Sequence, residues 1–396
     1  MNSAIATKLA SLLEEKTKLV SWQNIPPAWQ AKIQRKVKQC NSLQFIAPRN
    51  TEELGKIIQF ANEHNLKILP CGRGSKLGWG GRLEKVDLVI SSQNLNNILE
   101  YAVGDLTLSV EAGAKLADIQ NILAKNQQFL PLDPSYSQDA TIGGILATAD
   151  AGSWRQRYGG VRDLVLGVSF LRSDGKLAKA GGKVVKNVAG YDLMKLFTGS
   201  YGTLGFITQV NFRLYPLPAN SQTIILTGSK AAVSAIATSL HGSGLTPSVA
   251  DLISGGMLKT LDLAGEFGLV VRFQTIPASI EAQIQAMLAM AKDLEIDFLT
   301  FKDEQEIKFW CNYQANLEVK DYQANINAKI GILPHQIVQL LENLTANELA
   351  VINLSSGIGK LKLSYTITKN RLQTLRSICQ SYGGFLTILS GATAAR

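Results

Sequence analysis

Three stretches of this chain place glycines beside charged or hydroxyl side chains, next to apolar strand-like runs. Residues 70–81, PCGRGSKLGWGG, follow an extended apolar run. Successive backbone N–H groups in such a turn can cradle a phosphate, and glycine lets the ligand approach the backbone closely. Arg73 or Lys76 would add positive charge, with Pro70, Gly72, Gly74, Ser75 and Gly78 shaping the turn. The spacing of Gly72, Gly74 and Gly78 is GxGxxxG, not the GxGxxG of dinucleotide-binding βαβ units, and no apolar helix opens from it. Taken alone, the loop is a phosphate cradle or an ordinary turn. The second stretch, residues 131–167, carries a glycine turn at Thr141-Ile142-Gly143-Gly144 after a proline-containing loop. More backbone access follows at Gly152, Gly159 and Gly160. Its Arg155, Arg157 and Arg162 are an anion site or a solvated face. The third, residues 181–208, holds six glycines and runs through Gly202, Gly205 and Ile207 into an alternating strand over 209–214.

Acid–base and metal chemistry find little support. The histidines are His64, His241 and His335. Each falls at a helix terminus in the reading below and has no convergent polar groups around it, which favours a structural role. The cysteines, Cys40, Cys71, Cys311 and Cys379, are widely spaced without a CxxC pair. That gives no zinc or iron–sulfur pattern and fits a reducing compartment. No catalytic residue is assigned. Lys186 and Asn187 are the best remaining polar pair. Lys186 either faces a ligand or pairs with Asp192 to stabilise the fold.

The chain has 396 residues, 46% hydrophobic and 18% charged, with net charge +9. That suffices for two domains, or three. The basic balance suits anionic ligands or an acidic surface, but no block of five like charges marks a nucleic-acid tail. The densest basic patch, Lys32, Arg35, Lys36 and Lys38, reads as a solvated helix face. The N-terminus lacks the apolar core of a signal peptide, and no run of 18 apolar residues would span a membrane.

Stepping outward, the spacing predicts a helix over 3–19, a second basic helix to Cys40, a strand at 45–47, and a helix capped by Asn50 or Thr51. Strands at 67–70, 86–91 and 106–111, a helix over 115–125, a strand at 165–172 and an Asp-Gly hairpin turn at 173–176 follow. Tyr215-Pro216-Leu217-Pro218 marks a boundary. Beyond it the order βαββαβ occurs twice, over 223–300 and 325–389, without sequence identity between the halves.

Lys186, Gly190-Tyr191-Asp192-Leu193, Gly199-Ser200, Gly202-Thr203-Leu204-Gly205 and Ile207-Thr208 resemble the flavin-binding domain of FAD-linked oxidases of the vanillyl-alcohol oxidase (PCMH) type. That family includes D-lactate and glycolate dehydrogenases, and the chain resembles in particular its FAD-binding E-type subunits of bacterial glycolate oxidases. The likeness runs from about Phe45 to Pro218. It implies an α+β chain: an N-terminal helical segment (1–40), a two-subdomain PCMH-type FAD-binding domain (41–218), and a smaller α+β cap (219–396) with ferredoxin-like βαββαβ order. It places the FAD pyrophosphate on the loop at 70–81 and a second flavin contact at Thr141, Gly143, Gly144, Thr148, Gly152 and Tyr158. The loop lacks the histidine that some relatives link to flavin, so FAD is expected to be non-covalent.

The family also implies a small anionic 2-hydroxy acid as substrate, glycolate going to glyoxylate. Partners would be a catalytic D-type flavoprotein and an iron–sulfur F-type subunit, with no nucleic acid. A cytoplasmic location follows, with peripheral attachment to the inner face of the membrane through the complex left open. Several departures bear on catalysis. Tyr201 stands where catalytic relatives carry Glu, and Phe206 where they carry Ile or Val. A Glu-His-Gly in the cap is absent, and the chain reaches Arg396 without an FDPxGxxNPGR-like segment, by natural loss or truncation. Three readings stay open: an FAD-binding subunit, a self-sufficient D-2-hydroxy acid dehydrogenase, and an interaction subunit that kept the fold without the chemistry.

Overall fold

The computed structural model describes residues 3–184, 191–318, 324–364 and 366–391. Lys186 and Asn187 lie outside them. The chain divides into two compact units: residues 1–152 with 159–217, and residues 218–396 with the short insertion 153–158.

Among the described residues the first unit holds two larger sheets and two two-stranded ones, Val37–Gln39 with Leu83–Lys85 and Gln128–Phe129 with Tyr215–Pro216. A four-stranded sheet runs in the order Val20–Ser21, Gln44–Ile46, Leu88–Ser91, Ile68–Cys71. Its central strand Leu88–Ser91 is buried throughout and pairs in parallel with both neighbours, Phe45 and Leu69 facing Val89. Burial on both faces is why this strand is apolar without alternation. The helix Thr51–Glu63 covers one face with Leu54, Ile57, Ile58 and Ala61 buried, and Asn50 caps it by accepting the Glu53 N–H at 2.8 Å. The second sheet is antiparallel, in the order Leu177–Gly181, Val165–Leu171, Phe206–Arg213, Thr107–Glu111, Ile98–Ala102. The hairpin of its first two strands turns through Gly175 at φ +75°. The helix Leu116–Ala124 buries Leu116, Ile119 and Leu123 against it.

The N-terminus departs from the expected long helix. The first helix is Ser3–Ala10. The buried Glu53 carboxylate accepts the Glu14 N–H (3.0 Å), the Thr17 hydroxyl (2.9 Å) and the Arg49 N–H (3.0 Å). A buried carboxylate must be satisfied, and the backbone that satisfies it leaves the helix. Pro26-Pro27 separates two helices as expected, with Pro27 the first residue of Pro27–Gln34, where its missing N–H has no cost; that helix does not reach Cys40, because Val37–Gln39 is a strand paired with Leu83–Lys85.

The second unit contains one eight-stranded antiparallel sheet. Its order is Ile296–Lys302, Asn220–Gly228, Phe267–Thr275, Val249–Ser254, Leu349–Asn353, Ile358–Ser364, Asn325–Gly331, Phe385–Ser390. Each βαββαβ half has the strand order 4-1-3-2, and the halves join through their second strands, with Leu252 opposite Ile352. Four helices, Lys230–His241, Pro277–Ala291, Ile337–Glu342 and Lys369–Ser381, share one apolar core with one face. On the other face lies Asp303–Leu317, a helix outside the repeat that the spacing did not predict. It docks through a buried aromatic face, Phe309, Trp310 and Tyr313, together with polar groups. Glu306 accepts from Thr223 Oγ1 (2.5 Å) and Arg272 Nε (3.1 Å), and Trp310 Nε1 donates to Thr223 Oγ1 (3.0 Å).

The insertion 153–158 belongs to this unit through Asp251, which is 1% exposed. Burial raises the Asp251 pKa above the usual carboxylate range, opposed by hydrogen bonds from Ser153, Tyr313 and Asn353 and by the charge of Arg155. Tyr313 Oη donates to Asp251 Oδ2 at 3.1 Å, and Asn353 Nδ2 donates to Gln156 Oε1 at 3.1 Å. A raised folded pKa means that the native state carries no penalty below the unfolded value, near pH 4, and an increasing one above it. The substitution Asp251→Asn removes that penalty. Its melting temperature relative to wild type should therefore rise by about 2 °C or more between pH 4 and pH 7. A relative fall over that range in calorimetric scans would contradict the burial argument.

Candidate functional site

A cleft lies within the first unit. Three chain segments wall it. The turn after strand Ile68–Cys71 supplies Pro70, Gly72, Arg73, Gly74, Ser75 and Lys76. The helix Ile142–Thr148 and the residue before it supply Thr141, Gly143, Gly144 and Thr148. The entry to strand Phe206–Arg213 supplies Gly205 and Ile207. Twelve residues singled out from sequence thus surround one space.

Three others do not line it. Gly78 lies between lining residues of the same turn. Gly152 donates its N–H to Asp133 Oδ1 at 2.8 Å. Tyr158 is a buried residue of the second unit, where the insertion carries it.

The two glycine turns meet without slack. A Cβ on Gly72 would sit 2.0 Å from Thr141 Oγ1, and one on Gly143 would sit 2.9 Å from the Ala112 Cβ. Lys76 Nζ and Asp150 Oδ2 form an ion pair at 3.0 Å with side chains 6% and 2% exposed. The same Asp150 oxygen accepts the Ser135 N–H at 2.7 Å. A buried pair this close fixes one loop against the other, since losing either partner leaves a buried charge uncompensated. Thr148 Oγ1 donates back to Gly144 O at 2.7 Å, as helical threonines do, so its wall contribution is chiefly its methyl.

Sequence reasoning missed several wall residues: Lys36, Cys71, Trp79, Ser92, Ala112, Tyr201 and Phe206 among them. Tyr201 had been marked only as a departure from a family pattern. It adopts φ +52°, and burial together with Asp150 raises its phenol pKa. Desolvation pushes the Cys71 thiol up to about 12, which keeps it protonated and unreactive.

The basic patch near residue 35 is not a solvated face. Lys32 Nζ donates to Arg73 O and Lys36 Nζ to Trp79 O, each at 2.9 Å, while Lys38 pairs with Glu84 at 2.9 Å. The histidines sit away from the cleft wall. His64 ends the helix Thr51–Glu63 with its ring stacked on Phe60 at 4.0 Å. His241 ends Lys230–His241, and His335 lies in the short turn Pro334–Gln336.

The wall suits a dinucleotide. Among the described residues, the N–H groups of Arg73, Gly74 and Ser75 find no backbone acceptor, as an anion cradle requires. Among the same residues the Trp79 indole N–H is buried without a partner. Among the described residues no group of three or more His, Cys, Asp or Glu could hold a metal ion, and no helix is long and apolar enough to cross a membrane.

Residues 42–181 match the family described as FAD binding domain. The chain is 28% identical over 334 residues to glycolate oxidase subunit GlcD of Bacillus subtilis, covering 82% of this chain and 68% of that protein. It is 32% identical over 222 residues to mitochondrial D-lactate dehydrogenase [cytochrome] of Arabidopsis thaliana, covering 55% of this chain and 38% of that one. Over 128 residues it is 40% identical to glycolate oxidase subunit GlcE of Escherichia coli, covering 32% of this chain and 37% of that protein. The chain thus spans less than half the length of the last two. In fold it is similar to p-cresol methylhydroxylase, with a TM-score of 0.75 at 14% identity over 96% of this chain and 88% of the other. The loops, the cleft and these likenesses agree: residues 42–181 match an FAD binding domain, the fold is of the PCMH type, and the protein's cofactor is FAD.

Proposed function

We propose that this chain is the FAD-binding subunit of a glycolate oxidase-like complex. The complex oxidises a small anionic 2-hydroxy acid, glycolate to glyoxylate, and passes electrons through flavin to a partner. The ionisable make-up of the cleft wall carries this reading. Lys36, Arg73 and Lys76 provide cationic charge, while Cys71 and Tyr201, the other ionisable wall residues, have raised pKa values. Oxidising a 2-hydroxy acid takes a hydride acceptor, a cation for the carboxylate and a base for the hydroxyl proton. Bound FAD supplies the first. The wall supplies charge but no group poised to accept a proton near neutral pH, so the base is assigned to a partner, the D-type flavoprotein, with an F-type iron–sulfur subunit taking electrons onward.

In this reading Pro70, Gly72, Arg73, Gly74, Ser75 and Lys76 hold the diphosphate. Thr141, Gly143, Gly144, Thr148, Gly205 and Ile207 hold the remainder of the cofactor and exclude water. The location is cytoplasmic, peripheral on the membrane through the complex. A second reading, a self-sufficient D-2-hydroxy acid dehydrogenase, is favoured by the likeness to D-lactate dehydrogenase over 55% of the chain.

Three outcomes check the proposal. Acid precipitation of the purified holoprotein should release all flavin into the supernatant, because the one wall thiol is protonated; flavin retained on the pellet would contradict non-covalent binding. In an anaerobic absorbance spectrum the flavin should stay oxidised when glycolate is added to this chain alone, and bleach once the D-type subunit is present. Bleaching of the chain alone would overturn the subunit reading in favour of the dehydrogenase. Gly72→Ala should weaken FAD binding about tenfold through overpacking against Thr141, with partial recovery in Gly72→Ala/Thr141→Ala. Unchanged affinity would remove this turn from the site.

A further inference from the structure

The N-terminal segment lies outside residues 42–181, yet it reaches the cleft. Lys36 is a wall residue and donates to Trp79 O at 2.9 Å. One helical turn earlier, Lys32 donates to Arg73 O at 2.9 Å. Their contacts therefore fall at two points of the cleft turn, near its start and near its end. Two further contacts fix this arrangement. Trp29 packs on Phe45 at 4.9 Å, and Lys32 Nζ lies 5.3 Å from the Trp29 ring centroid. Gly74, at φ +74°, packs so closely on this pair that an added Cβ would sit 3.0 Å from Trp29 and 3.2 Å from Lys32.

Of the two lysine contacts, that of Lys36 falls on Trp79, 2% exposed, its ring 5.6 Å from Lys76 Nζ. Its Nε1–H is buried and has no acceptor among the described residues. A buried donor left unsatisfied is costly, by roughly as much as a hydrogen bond to a charged group returns. Trp79 itself lines the cleft, together with three cationic residues, Lys36, Arg73 and Lys76. An anionic oxygen is the acceptor such surroundings favour. Because the nitrogen is nearly inaccessible, the turn must yield slightly for an oxygen to reach it, and Gly74 and Gly80 at positive φ supply the freedom.

Resting on the assignment of the cleft to FAD, we propose that residues 27–38 and Trp79 complete the diphosphate site. The Trp79 indole N–H and the Lys36 ammonium act on the diphosphate, and Lys32 is a positioning residue that holds the turn through Arg73 O. The cofactor site then begins well before the residues that the FAD binding domain match covers.

The test is equilibrium binding of FAD, and separately of riboflavin, which lacks the phosphates, to the apo form of the full chain. Trp79→Phe removes the N–H and keeps a ring. It should raise the Kd for FAD about tenfold and leave riboflavin unchanged. Lys36→Met should weaken FAD selectively and flatten the salt dependence of its binding, with recovery in Lys36→Arg. Lys32→Met should weaken FAD with the salt slope intact. Wild-type affinity for FAD in both Trp79→Phe and Lys36→Met, or equal losses for FAD and riboflavin, would overturn the proposal. A variant-free readout guards against misfolding. In chain labelled with 15N-indole tryptophan, the Trp79 Nε1–H resonance should shift on adding FAD and not on adding riboflavin; no FAD-dependent shift overturns the assignment. If wild-type chain binds neither compound, the cleft assignment itself fails, an outcome distinct from selective retention of FAD affinity by the variants.

Discussion

The buried ion pair between Lys76 and Asp150 is the contact on which the cofactor cleft depends. Its 3.0 Å separation joins the turn after the parallel strand Ile68–Cys71 to the segment that follows the helix Ile142–Thr148. The two segments belong to different layers of the first unit and share no sheet. Each is glycine-rich, which lets backbone approach a ligand but gives up conformational restraint. The restraint is recovered by a few strong contacts: the ion pair, Asp150 accepting the Ser135 N–H, and the meeting of Gly72 with Thr141. Removing either charge would strand the other behind the cleft, where burial makes an unpaired ion costly. The cleft therefore keeps its cationic character without Lys76 being loose in it.

The second unit solves a different problem with the same economy of contacts. Two βαββαβ halves, each with strand order 4-1-3-2, share an apolar core along one face of a single sheet. The opposite face has its own apolar cluster, Ile225, Val249, Ile253, Val270 and Val351 against Phe309, Trp310 and Tyr313, and adds polar residues, Thr223, Arg272, Asp251 and Asn353, that bind the helix Asp303–Leu317 and the insertion 153–158. Tyr313, fully buried, contributes both an aromatic packing surface and the hydroxyl that meets Asp251. Such a network specifies which segment docks where, a task that apolar contact alone performs less selectively.

What the sequence disclosed follows from the range of each signal. Gly72, Gly74, Thr141, Gly143, Gly144 and Gly205 stood out because tight backbone is a local property. The helix Thr51–Glu63 was legible from its cap and apolar stripe. The joining of the two halves into one sheet was not legible, because the register of Leu252 with Ile352 is a contact across about a hundred residues. Helix Asp303–Leu317 escaped because a buried Glu306 anchors it, a role that looks identical to a solvated glutamate in sequence. Lys32 and Lys36 escaped for the same reason: a lysine that donates to a loop carbonyl has no sequence mark that separates it from one in water. Trp79, an aromatic inside a glycine turn, reads as packing until its indole N–H is found without an acceptor.

The central claim is that one buried charge pair holds two glycine turns in the shape that binds FAD. A double-mutant cycle on Lys76→Met and Asp150→Leu, read as the Kd of the apo chain for FAD, tests it most directly. The account predicts that each single change weakens binding by about tenfold or more, and that the double variant is no worse than the weaker single, because the two side chains act as one element. Losses that simply add, or singles that bind FAD as tightly as wild type, would contradict it.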